Sequence, residues 1–178
     1  ETKAYGDPHM QNVYGERFDL MQPGTHTLVH IPRFSAKASA KFHVQAGVER
    51  IGRACADMYI QKLNVTGQWA YEHRQGGLHF DVAAAPRHRK GTNWMRFGRR
   101  NHRVDMKVVY GHTPSGINYL NFFVRHLGET GYPVGGLLGE DDHTAAATPS
   151  KSCRKVLVLL QGVAAESEPR SVAEASLH

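Results

Sequence analysis

The strongest constraint in this chain is an alternation of apolar and polar residues with a period of two. In 41–49, Phe42, Val44, Ala46 and Val48 share a face opposite Lys41, His43 and Gln45. In 25–31, Thr27, Val29 and Ile31 oppose His26, Leu28 and His30. The same pattern runs through 59–66, 78–84 and 103–110, while 117–124 and 155–161 are more apolar and read as central strands. A period of two with one wet face marks antiparallel sheet. Several such runs, separated by Gly, Pro, Asn and Ser clusters, predict an all-β, antiparallel β-sandwich-like domain with irregular loops. Helical signal is weak. Only 163–177 is rich in Ala and Glu, and Pro169 interrupts it. The reading is therefore a β domain over 1–161 and a flexible or partner-docked tail over 162–178. No internal repeat is visible.

The 178 residues suit one domain with tails. No apolar run approaches the roughly 18 residues a membrane helix needs, so no transmembrane segment is expected. The net charge of +6 favours partners with acidic surfaces. The chain carries two cysteines, Cys55 and Cys153, and no C-x-x-C motif, which argues against a thiolate zinc site. Each sits beside a strand candidate and near turn-forming residues, so a disulfide is expected. It would close a loop of about 100 residues and contribute about 4–5 kcal/mol in the chain-entropy description. Two independent buried thiols are the alternative.

One motif opens the chain. Gly6-Asp7-Pro8-His9 is followed by Gly15-Glu16-Arg17-Phe18-Asp19, then by Gln22-Pro23-Gly24 and an alternating strand. Near the other end stands Val134-Gly135-Gly136-Leu137-Leu138-Gly139-Glu140-Asp141-Asp142-His143. Together these resemble a von Willebrand factor type D domain, over residues 6 to about 160. In that family a G-D-P-H element leads into a G-x-x-F-D-like turn, and a glycine-rich acidic loop contributes to a calcium site. The resemblance implies an extracytoplasmic (secreted, cell-surface or lumenal) setting and a structural or adhesive role. Family members usually carry many cysteines, and Leu138 stands where one would be expected. Multimerisation through disulfides is therefore not carried over.

The acidic residues have two readings. Glu140, Asp141 and Asp142 follow a glycine-rich turn, and adjacent carboxylates suit Ca²⁺, which takes about six to eight oxygens. A solvated turn, with Asp141 or Asp142 accepting hydrogen bonds from backbone amides, fits equally well. At Asp7-Pro8 the structural reading is preferred: Pro8 fixes the start of a strand and Asp7 caps a turn.

The densest basic stretch holds Arg87, Arg89, Lys90, Arg96, Arg99, Arg100 and Arg103, with His88, His102, Trp94 and Phe97 among them. Basic residues interleaved with aromatics can grip nucleic acid. No nucleic-acid-binding motif frames them, so an acidic protein or an anionic glycan is preferred. Twelve histidines make the surface charge sensitive to mildly acidic pH, but no H-E-x-x-H set appears. Asn64-Val65-Thr66 fits the glycosylation sequon. There is no G-x-S-x-G elbow and no G-x-x-x-x-G-K loop. The expected function is non-catalytic: a structural or protein-interaction module in an extracytoplasmic assembly. An anionic-glycan-binding module is the alternative, and a hydrolase with a histidine-containing pocket is a third.

Overall fold

A computed structural model of the chain describes residues 1–6, 8–52, 54–84, 91–99, 101–151 and 153. The chain divides into two compact units, Glu1–Thr148 and Pro149–His178. The first contains β1 (Thr2–Tyr5), β2 (His9–Gln11), β3 (Arg17–Asp19), β4 (Gly24–Ile31), β5 (Phe42–Arg50), β6 (Met58–Thr66), α1 (Gln68–His73), β7 (Leu78–Asp81), β8 (Met95–Arg99), β9 (His102–His112), β10 (Asn118–Arg125) and α2 (Thr144–Ala147). In the second, Cys153 is buried and its amide donates to Ser150 Oγ at 3.4 Å. The strand expected at 155–161 and the tail at 162–178 lie outside the described residues.

Two antiparallel sheets form, ordered β3-β2-β1-β10-β9-β8 and β4-β5-β6-β7. The expected fold class is the observed one. Core-facing residues of both sheets join one apolar cluster, with Phe42, Val44 and Leu63 from one and Val104, Met106 and Phe122 from the other. The Phe42 and Phe97 rings lie 5.1 Å apart. Burial of this apolar surface drives the two sheets together.

The alternation places most core residues, but two bulges shift it. Leu28 was assigned to the wet face and is fully buried, as is its neighbour Val29. The register slips between Thr27 and Val29, which lets consecutive residues turn inward. A second slip between Gly47 and Val48 shifts β6 in the same way. Three short strands, β1 to β3, and the helix α1 carry too few periodic residues to be read from the sequence alone. The expected turn at 15–19 lies earlier. Asn12, almost wholly buried, organises it by accepting from the amides of Tyr14 and Glu16, each at 3.0 Å, and 17–19 pair with β2 as β3.

The outer edge of β4 is covered. His30 and Gly135 exchange amide hydrogen bonds of 2.9 and 2.8 Å, and the amides of Leu137 and Leu138 donate to the carbonyls of Thr27 and Leu28 at 2.9 Å. An uncovered strand edge would template pairing with another chain. Only glycine fits at 136: its φ is 91°, and a Cβ there would stand 2.6 Å from the Leu28 carbonyl. Gly136→Ala should therefore destabilise the domain by about 2–3 kcal/mol, from left-handed strain plus the backbone collision. Denaturant titration should show a lower midpoint at an unchanged slope. An unchanged midpoint would mean that the segment does not hold the edge.

Candidate functional site

The opening motif is a turn between β1 and β2. Gly6 donates its amide to Asn121 Oδ1 at 2.6 Å, fastening the turn to β10. Pro8 is buried, and its carbonyl accepts from the amide of the buried Leu20 at 3.1 Å. The exposed His9 meets Asp19 across the β2–β3 pair, Nδ1 to Oδ1 at 2.6 Å. Asp7 lies outside the described residues.

The acidic loop meets an arginine that sequence reasoning missed. Arg33 Nε donates to Asp141 Oδ1 at 2.7 Å, and its NH1 nitrogen to Glu140 Oε2 at 3.3 Å. The Asp141 hydrogen bond, with the Asp141 and Glu140 charges, raises the Arg33 pKa. Asp141 Oδ2 also accepts from the Gly136 amide at 2.5 Å, and Glu140 Oε1 from that of Val134 at 3.4 Å. Asp142 Oδ1 accepts from the Thr144 hydroxyl and amide at 2.6 and 2.9 Å, at the start of α2, and these bonds lower its pKa. Glu140 and Asp141 thus share Arg33 while Asp142 turns to Thr144, and the loop is latched over the β4 edge. Among the described residues no group of three or more His, Cys, Asp or Glu side chains could hold a metal ion. With Arg33 as the internal cation, melting temperatures in calcium and in chelator should coincide, while Arg33→Gln should melt earlier. A rise with calcium in the unmodified chain would mean that the loop binds the ion.

Neither cysteine is free; Cys55 and Cys153 are disulfide-bonded. Asn64 lies on β6, and its side-chain oxygen meets His79 Nδ1 on β7.

His30 and His43 come together across the β4–β5 pair, Nδ1 to Nδ1 at 2.8 Å. His30 Nε2 lies 2.8 Å from the Ser35 carbonyl, which can only accept. Nε2 therefore carries a proton, and one of the two facing Nδ1 atoms donates to the other. Ser35 Oγ donates to the Pro32 carbonyl at 2.8 Å, so His30 is not poised to take its proton. Burial pushes His43, only 4% exposed, down to about 4, aided by the charges of His30 and Lys37 and opposed by a hydrogen bond with Gln45. Because the folded value lies below the ordinary 6.5, the unfolded chain takes the proton first. The stabilisation is full above pH 6.5 and falls as pH drops towards 4, by about 3 kcal/mol in all. Denaturation midpoints of the unmodified chain and of His43→Gln should follow pH differently over this window; parallel curves would exclude His43 as the cause.

The β8–β9 hairpin divides the basic stretch. Phe97, Val104 and Met106 are buried, and the register pairs Phe97 with Val104 and Arg99 with His102. With a period of two, Arg99 and His102 continue the core-facing row beyond the core. Arg96 and Arg103 stand on the opposite face. There Arg96 Nε meets Asp105 Oδ1 at 3.2 Å, and Arg103 approaches His126 at 3.5 Å. Arg87, Arg89, Lys90 and Arg100 lie outside the described residues.

Arg99 and His102 border a cleft of about 310 Å³ with Lys41, Gln68, Trp69, Glu72 and Tyr132. Its walls come from separate parts of the chain. The amides of Gln68 and Trp69, at the start of α1, donate to the carbonyls of Ala40 and Lys41 at 3.0 and 2.9 Å. This brings α1 against the segment leading into β5. Trp69 is buried, 6.3 Å from the Tyr132 ring, and forms the floor with it. Lys41 Nζ stands 5.1 Å from the Tyr132 centroid. His102 Nδ1 donates to the Thr130 carbonyl at 2.6 Å, and its ring lies 5.5 Å from Tyr132. Gly131 leaves room for that imidazole, since a Cβ would come within 2.6 Å of it. Sequence reasoning found Arg99 and His102 but not Lys41, Trp69 or Tyr132, which join them only through tertiary structure. Such a cleft can hold an anion beside an apolar ring face.

Neither a family model nor a curated protein matches this chain. The likeness to type D domains therefore rests on the quoted residues alone. Among the described residues no helix is long and apolar enough to cross a membrane.

Proposed function

We propose that this domain is a non-catalytic interaction module that meets an acidic partner through the cleft between α1 and the β8–β9 hairpin, within an extracytoplasmic assembly. The observation that carries the reading is the gathering of Lys41, Arg99 and His102, from two separated parts of the chain, around one aromatic floor. The net charge of +6 acts in the same direction by steering anions towards the surface. The extracytoplasmic setting is supported by the bonded state of Cys55 and Cys153, since disulfides persist in oxidising compartments. The resemblance to type D domains adds to it, as does their structural or adhesive role.

The test is retention on an immobilised polyanion such as polyaspartate. Reversing both Lys41→Glu and Arg99→Glu should lower the salt needed for elution and flatten the salt dependence. Reversing Lys3 and Arg17, on β1 and β3, removes the same net charge and should have a smaller effect. Equal losses for the two pairs would mean that net charge, and not the cleft, does the binding.

A further inference from the structure

We propose that the ligand of this cleft is an anionic saccharide: a sugar ring bearing a carboxylate or sulfate, held by its charge at Lys41 and Arg99 and by its ring face over the Trp69–Tyr132 floor. The inference rests on the cleft being the contact site and adds the class of ligand.

Three observations separate a sugar from an acidic peptide. The first is the floor. A pyranose presents an apolar C–H face that packs on aromatic rings, whereas the side chains of an acidic peptide gain little from them. The second is Glu72. It stands on the exposed side of α1 at the rim, among the cations. A carboxylate there repels the negative charge of either ligand, but from a sugar it also accepts hydrogen bonds of the hydroxyls, which an acidic side chain lacks. Gln68, beside it on α1, can both donate and accept, which suits hydroxyls equally. The third is size. About 310 Å³ is at the small end of ligand sites and matches one or two sugar rings better than an extended protein face. The cations supply the selection for charge. Arg99 offers a planar fork that matches a carboxylate or sulfate with two parallel bonds, and Lys41, placed near the Tyr132 ring, supplies a point charge.

The experiment titrates the full chain, followed by calorimetry, with three probes: a galacturonate tetramer, a neutral glucose tetramer of equal length, and a capped tetraglutamate of equal charge. Glu72→Gln changes an exposed side chain and should leave the fold intact. It should weaken the uronate about three- to tenfold, the loss of one charge-assisted acceptor, and tighten tetraglutamate by removing repulsion. Arg99→Gln should weaken the uronate about tenfold, and the glucose tetramer should bind more weakly than the uronate. Tetraglutamate binding as tightly as the uronate, with Glu72→Gln tightening both, would overturn the sugar while leaving an acidic partner at the cleft. Uronate binding that Arg99→Gln and Glu72→Gln both leave unchanged would overturn this inference and the cleft as contact site together, as would the absence of binding by either charged probe.

Discussion

The domain depends on how the exposed edge of β4 is closed. A four-stranded sheet with a free outer strand would present unpaired amides and carbonyls to any passing chain. Here the glycine-rich segment around Gly136 pairs with Thr27, Leu28 and His30. Its approach is so close that side chains are excluded where it meets the Leu28 carbonyl. The Arg33 contacts to Glu140 and Asp141 then fix the far end of the same segment. Exposed ion pairs add little by themselves, so the ladder and the burial of Leu137 and Leu138 are the larger part of this closure. The arginine chiefly decides where the acidic residues point.

That closure shows how much of the glycine-rich acidic motif was legible. The run of glycines announced a close backbone approach, and the carboxylates announced a cation. Arg33, about a hundred residues upstream, is a cation the structure sets beside two of them, and the sequence offered no sign of it. The pairing is tertiary, and Arg33 stands in a segment with no motif around it. Strand readings succeeded for β5 and β9 because their alternation continues through most of each strand, and for β10 because its run is the more apolar one of a central strand. They failed locally at Leu28, where one bulge reverses the inward and outward sense of the residues beyond it. The first three strands were missed because three or four residues are too short to show a period.

The basic stretch illustrates the same limit. As a linear run its cations belong to one patch. On a hairpin, successive residues face opposite ways, so Arg96 and Arg103 separate from Arg99 and His102. The separation also sorts them chemically. Arg96 meets Asp105, and the acidic partner leaves less of its field to act at a distance. Arg99 and His102 instead extend a row of core residues past the end of the core, where the next surface they meet is aromatic.

This position at the margin of the core gives the cleft its character. A cation in open water gains little from an anion, because solvent and salt screen the pair. Arg99 and His102 are themselves exposed, so their attraction is screened, and what the fold adds is a fixed pair of rings beside them. The rings are held by the fold: Trp69 by the hydrogen bonds that seat α1 on residues 40 and 41, and His102 by its bond to the Thr130 carbonyl. A ligand that brings both a charge and an apolar face therefore finds both counterparts already placed. It loses less freedom on binding than one that must first order a flexible surface. Preorganisation of this kind favours a small, rigid ring over a flexible acidic chain, and it ties the choice of ligand to the same packing that holds the two sheets together.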